Sequence, residues 1–119
     1  MKLKTIKINE KTIAALESAD HALSSVQDAL DLLADADYQG ARRIMIKKGH
    51  LHPDFYDLKT GLAGDMLQKF VNYYVKLAIV GDFSEYKSNN LKYFMRESNK
   101  AGQIFFVENT DEAIKYLTR

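Results

Sequence analysis

The 119-residue chain has no cysteine, which excludes disulfides, zinc–thiolate sites and thiol catalysis together. It carries little excess charge of either sign: 17 basic residues meet 16 acidic ones. No global field therefore draws it to nucleic acid or to an anionic membrane, and neither is an expected partner. Long hydrophobic runs are also missing. Nothing approaches the ~20 apolar residues of a membrane span, and the opening MKLKTIKINE lacks the apolar stretch of a signal peptide. A cytoplasmic location is the expectation. There is no Gly-x-x-x-x-Gly-Lys-Ser/Thr and no Gly-x-Gly-x-x-Gly, so a nucleotide-hydrolysing P-loop is unsupported. No Ser/His/Asp or paired-carboxylate arrangement stands at a diagnostic spacing. No cofactor is expected, and the balance leans away from an enzyme.

What is present is a globular mixture, 46% hydrophobic and 28% charged, which sets disorder aside. A chain of this length forms one domain, residues 1–119. Residues 2–8, KLKTIKI, and 12–17, TIAALE, read as a pair of strands across the turn-like Asn9-Glu10-Lys11. Lys2, Lys4, Lys7 and Lys11 suit an edge strand, where lysines guard against edge-to-edge pairing. From Ser24 the period changes. Val26, Ala29, Leu30, Leu33 and Ala34 share one helical face, with Ser24 or Ser25 as N-cap and Gly40 as the left-handed stop.

RIMIK, 43–47, is a short buried-type strand, and GHLHPDFYD is a loop holding the only proline, Pro53. Leu62, Met66, Phe70 and Tyr73 or Tyr74 define a second amphipathic helix. VKLAIVG, 75–81, is nearly all apolar, as a strand covered on both faces must be. Asn89 or Asn90 caps a third helix bearing Leu91, Phe94, Met95 and Ser98, and Gly102 closes it. QIFFV, 103–107, is the next strand, and Thr110 caps a last helix with Ala113, Ile114 and Leu117. The order ββαβαβαβα predicts an α/β fold with a mostly parallel sheet and flanking helices.

That order, with LKTGLAG at 58–64 opening the second helix, resembles the STAS domain, the fold of bacterial anti-sigma-factor antagonists. In that family an Asp-Ser-Ser-Gly-Leu-Gly turn follows the third strand, and a partner kinase phosphorylates its second serine. Thr60 takes that serine's position, with Gly61, Leu62 and an offset Gly64 after it. The family's aspartate would fall at Leu58, with Asp57 one residue away, and Lys59 replaces the first serine. VKLAIVGDF and IFFVENTDEAIKYL resemble the family's later elements. More narrowly, DFYDLKTGLAGDMLQKF, VKLAIVGDFSEYKS and ESNKAGQIFFV are similar to a family of short bacterial STAS-like proteins with no assigned function. The resemblance implies a non-catalytic regulatory or interaction module with a protein partner, and makes Thr60 the phosphorylation candidate.

Two readings of the residues stand beside it. Helix N-terminal amides have no intrahelical partner, so Thr60, Gly61 and the cation of Lys59 suit a phosphate or carboxylate. The plain alternative is a Thr60 cap with Gly61 and Gly64 packed close to the sheet. Gly81 and Asp82 end the central strand, where open α/β sheets hold ligands, and are expected near the Thr60 turn. The predicted ligand- or partner-binding set is therefore Asp57, Lys59, Thr60, Gly61, Gly81 and Asp82, and a small anionic ligand is the alternative occupant. His50, His52 and Asp54 at alternate positions form a weak candidate metal set, which a bent loop around Pro53 would undo; no metal is expected. Arg96, Glu97 and Asn99 offer a docking face or a solvated one. Tyr73, Tyr74, Tyr93, Phe94, Phe105 and Phe106 form core or the face of a homodimer.

Overall fold

A computed structural model describes residues 1–119. Five strands, β1 (Leu3–Ile8), β2 (Lys11–Leu16), β3 (Arg43–Lys47), β4 (Lys76–Val80) and β5 (Ile104–Val107), form one sheet in chain order. β1 and β2 are antiparallel and every later pairing is parallel. Asn9 and Glu10 join the hairpin with φ of +50° and +68°, the two positive values that a two-residue type I′ turn requires.

Each parallel connection steps one strand in the same direction. Right-handed crossovers then place α1 (Val26–Tyr38), α2 (Leu62–Asn72) and α3 (Asn89–Ala101) on one face. The larger core lies there, where Ala14, Ile44, Ile46, Leu77, Ile79 and Phe106 meet the three helices. The last helix, α4 (Thr110–Leu117), covers the other face over Met45, Ala78, Phe105 and Val107. β5 is buried at every residue because helices lie on both its faces. Lys11 Nζ and Arg43 Nε reach the carbonyls of Thr118 and Leu117 at 2.7 and 2.8 Å. Two cations from adjacent strands thus meet the negative end of the short α4.

The α/β class and element order match the sequence expectation; several local assignments shift. The N-caps are Ser25, Ser88 and Asn109, so Asn89, Asn90 and Thr110 lie inside their helices. Ala34 is exposed, and the buried face of α1 is Ala29, Leu32, Leu33 and Ala36. The 48–60 loop is three successive 3-10 turns, Lys48–His50, Pro53–Tyr56 and Leu58–Thr60, which bury Phe55 and Tyr56. Asn99 does not serve as a free docking residue. Its amide donates to the Phe106 carbonyl at 3.2 Å and accepts the Phe106 N–H at 2.7 Å, closing the β5 edge as another strand would.

Candidate functional site

The turn before α2 is built from its own polar groups. Asp57 Oδ1 accepts the Lys59 N–H at 3.2 Å, and the Thr60 N–H donates to the Asp57 carbonyl at 3.0 Å. Thr60 Oγ1 lies 2.7 Å from the Asp54 carbonyl and 2.9 Å from that of Asp57, and accepts the Leu62 N–H at 3.2 Å. One hydroxyl therefore ties the 54–57 turn to the first residue of α2. The N-cap of α2 is Gly61, in the left-handed region at φ +77°, a slot that glycine fills without strain. Thr60, expected at that cap, sits one residue earlier. Gly64 is exposed and an added Cβ there would meet nothing within 4 Å, so close packing does not explain it. Lys59 and Asp57 are exposed beside the turn.

Gly81 and Asp82 open the loop after β4, which packs on the 48–56 segment. A Cβ on Gly81 would come within 2.5 Å of Lys48 Cβ, so this glycine makes room for the Lys48 side chain. That side chain straps the loop after β4: its ammonium donates to the Asp82 carbonyl at 2.8 Å, pairs with Glu85, and stands 4.8 Å from the Tyr86 ring centre. The Ser84 hydroxyl and backbone N–H bond the Asp82 carboxylate and hold its pKa below the ordinary value, as in a local Asx turn. Tyr86 stacks on Tyr56 with ring centres 4.8 Å apart, and the Tyr56 hydroxyl donates to the Lys48 carbonyl at 3.0 Å. Burial pushes both phenols up, Tyr56 furthest, so neither is poised for acid–base work near neutral pH.

Leu58, next to the turn, lines a shallow groove with Tyr93, Phe94 and Glu97. Asp82 lines a second one with Arg96, Asn99 and Lys100, on the opposite flank of α3.

The histidines are not arranged as ligands. His50 is buried and its Nδ1 accepts the Lys47 N–H at 2.9 Å. Burial lowers its pKa, with a contribution from Lys47, against the raising effect of a bond to the Ser18 backbone and of Asp20. His52 Nδ1 accepts the Asp54 N–H at 3.0 Å and caps that turn. No three His, Asp or Glu side chains converge on a point that a metal could occupy.

The aromatic set divides. Phe105 and Phe106 are buried and Phe94 is half-buried, whereas Tyr73, Tyr74 and Tyr93 are exposed, together with Tyr38. Neither Tyr73 nor Tyr74 continues the apolar face of α2, because that helix ends at Asn72. Tyr38, Tyr73 and Tyr74 lie at the helix ends beside the amino ends of β3 and β4. Tyr73 borders a groove of about 540 Å³ along α1, floored by Leu30, Leu33, Ala34, Ala41 and Val75. The sequence signal for this surface was the missing glycine at the end of α2, where α1 has Gly40 and α3 has Gly102.

Fold and surface together define a single-sheet α/β domain with unreversed strand order, a self-bonded turn before α2 and an aromatic end. The chain belongs to the family described as domain of unknown function DUF4180, which matches residues 8–117. No curated protein and no solved structure matches the chain.

Proposed function

We propose that the domain is a non-catalytic protein-interaction module that acts through its surface. The observation that carries this is the trio Tyr38, Tyr73 and Tyr74, which stand in solvent where α1 and α2 end, with Tyr73 bordering the groove on α1. Exposed tyrosines near an apolar groove are the composition of a docking surface, where aromatic side chains dominate binding energy. The element order and the turn at 58–64 support a regulatory, STAS-like role for that docking. Immobilised wild-type protein, a Tyr38→Ser/Tyr74→Ser variant and Thr60→Ala, each exposed to the same cell extract, test the proposal. A protein retained by wild type and Thr60→Ala, but lost by the tyrosine variant, is the expected result. Equal retention by all three would overturn it.

A second reading concerns Thr60 itself. Its side chain is exposed, next to the Lys59 cation and the first-turn amides of α2, which lack intrahelical partners. A phosphoryl group there would remove the proton that bonds the Asp54 and Asp57 carbonyls and add about −1.5 to −2 charge at the helix start. An anion sensor would use the same amides. Thr60→Ala is expected to lower stability by about 1 kcal/mol through the lost hydroxyl bonds alone. Phosphate that raises the wild-type Tm, and not that of Thr60→Ala, identifies an anion site; no rise in either removes this reading.

A further inference from the structure

α1 and α2 end on the same hydrogen-bond motif. In α1 the Gly40 N–H reaches the Asp37 carbonyl and the Ala41 N–H that of Ala36, both at 2.9 Å. In α2 the Tyr74 N–H reaches the Val71 carbonyl at 3.1 Å and the Val75 N–H that of Phe70 at 3.0 Å. Both are Schellman caps, which place one residue in the left-handed region. α1 uses Gly40 at φ +76° and α2 uses Tyr74 at φ +57°. A Cβ makes that conformation unfavourable, and for a bulky residue it is an outlier. Burial gives nothing in return, because Tyr74 is 82% exposed. Folding alone would select glycine here.

The neighbouring charges also run against helix preference. α1 carries Asp28, Asp31, Asp35 and Asp37 and no lysine or arginine, and its last turn, at the negative end of the dipole, holds no base. Asp35 meets the Met1 amino group. Asp31 and Asp37 line the groove. The one cation there, Arg42, is already engaged, donating to the Tyr73 carbonyl and standing 3.8 Å from Asp37. A left-handed tyrosine, exposed aromatics and acids at a helix C-terminus thus coincide at one end of the molecule. Locally disfavoured choices that converge on one surface mark a functional site.

We propose that this end docks an amphipathic helix of a partner protein whose polar face carries lysine or arginine. The groove follows α1 past Gln27, Leu30, Asp31, Ala34 and Asp37, positions at i, i+3, i+4, i+7 and i+10 that share one face of the helix, and a second helix packs along such a face. Leu30, Ala34 and Val75 take the partner's apolar face, Tyr73 packs against its edge with Tyr74 next in the chain, and Asp31 and Asp37 meet its cations. The same carboxylates repel nucleic acid phosphates and anionic lipid. This partner chemistry rests on the interaction-module reading above.

The probe is a synthetic amphipathic leucine–lysine helix, with a leucine–glutamate peptide of the same pattern as control, titrated into isotope-labelled full chain. The lysine peptide is expected to shift amides of residues 30–42 and 71–75, and the glutamate peptide to leave them unmoved. Tyr74→Gly is expected to raise Tm by about 2 °C and to weaken the lysine peptide's Kd about tenfold. A variant more stable than wild type cannot owe weaker binding to misfolding. Asp31→Asn/Asp37→Asn is expected to weaken binding and flatten its salt dependence. Equal binding of both peptides, or preference for the glutamate one, overturns the basic partner while leaving the docking surface in place. If neither peptide shifts these residues, the surface itself is wrong. Concentration-dependent dimerisation lost in Tyr74→Gly would give the face to a second copy of the chain and overturn the proposal.

Discussion

The two ends of the sheet treat their polar and aromatic groups in opposite ways. At the carboxyl ends of the strands, Tyr56 and Tyr86 stack together, Lys48 straps the following loop, and Thr60 bonds one turn to the next helix. Every buried side-chain nitrogen and oxygen in the molecule has a partner within the chain. At the amino ends, three tyrosines stand in solvent and α2 closes on a left-handed tyrosine. A motif draws the eye to the first end, and departures from folding preference mark the second. Groups whose bonds are satisfied internally are accounted for by stability. A group placed where stability disfavours it needs another cause.

The largest test sets one tyrosine from each end against the other. Tyr56 is buried against Phe55, Phe83 and Tyr86, so Tyr56→Ala is expected to cost about 3 kcal/mol in urea unfolding. Tyr38 is 92% exposed, and Tyr38→Ala should change stability by no more than about 0.5 kcal/mol. Comparable losses would erase the contrast between the ends. Next comes Gly81→Ala, which forces a Cβ to 2.5 Å from Lys48 Cβ and is expected to cost about 2 kcal/mol. A neutral Gly81→Ala would mean that the Lys48 strap shifts freely and that the carboxyl end is looser than its bonds imply.

A pH dependence probes the same end. Protonating His50 requires its Nδ1 to release the Lys47 N–H, and burial holds its folded pKa below 6.5. A depressed folded pKa contributes stability above the unfolded value, which is lost as pH falls through the folded one. The wild-type Tm should therefore fall as pH drops below 6.5. His50→Asn keeps an acceptor near the Lys47 N–H and cannot titrate, so its Tm should fall less over that range. Parallel curves for the two proteins would show that His50 protonation is not coupled to folding.

Much of the fold was legible because hydrophobic period carries it. Strands at 43–47, 75–81 and 103–107, the hairpin, and the glycine stops at Gly40 and Gly102 all follow from residue type. The caps slipped by a residue or two because Ser88, Asn89 and Asn90, or Asn109 and Thr110, are adjacent and all cap-competent, and only backbone geometry chooses among them. The 3-10 turns at 48–60 are too short to show a period, so buried Phe55 and Tyr56 looked like loop. The predicted site fared differently. Asp57, Lys59, Thr60 and Gly61 form one turn, whereas Gly81 makes room for Lys48 and Asp82 lines a groove on the flank of α3 opposite the one that Leu58 lines, a placement set by packing and not by local sequence. Tyr73 and Tyr74 were ambiguous for a related reason: adjacent aromatics after a helix read as core until the left-handed turn between Tyr73 and Val75 is known.

The smallest effect is the one most able to break the comparison. Gly64 lies in the first turn of α2, exposed, with nothing within 4 Å of an added Cβ. Helix propensity alone then predicts that Gly64→Ala stabilises by about 0.5 kcal/mol, read as a shift in the urea midpoint without a change in slope. α2 therefore opens on a glycine that folding does not require and closes on a tyrosine that folding disfavours. If Gly64→Ala is more stable and its response to phosphate matches wild type, the turn at 57–61 serves the fold, and function concentrates at the tyrosine end. If the variant is more stable but loses a phosphate-induced rise in Tm that wild type shows, then the bare backbone at Gly64 admits a ligand. In that case both ends of α2 depart from helix preference for function, and the contrast between the two ends of the sheet gives way to a contrast between the two ends of one helix.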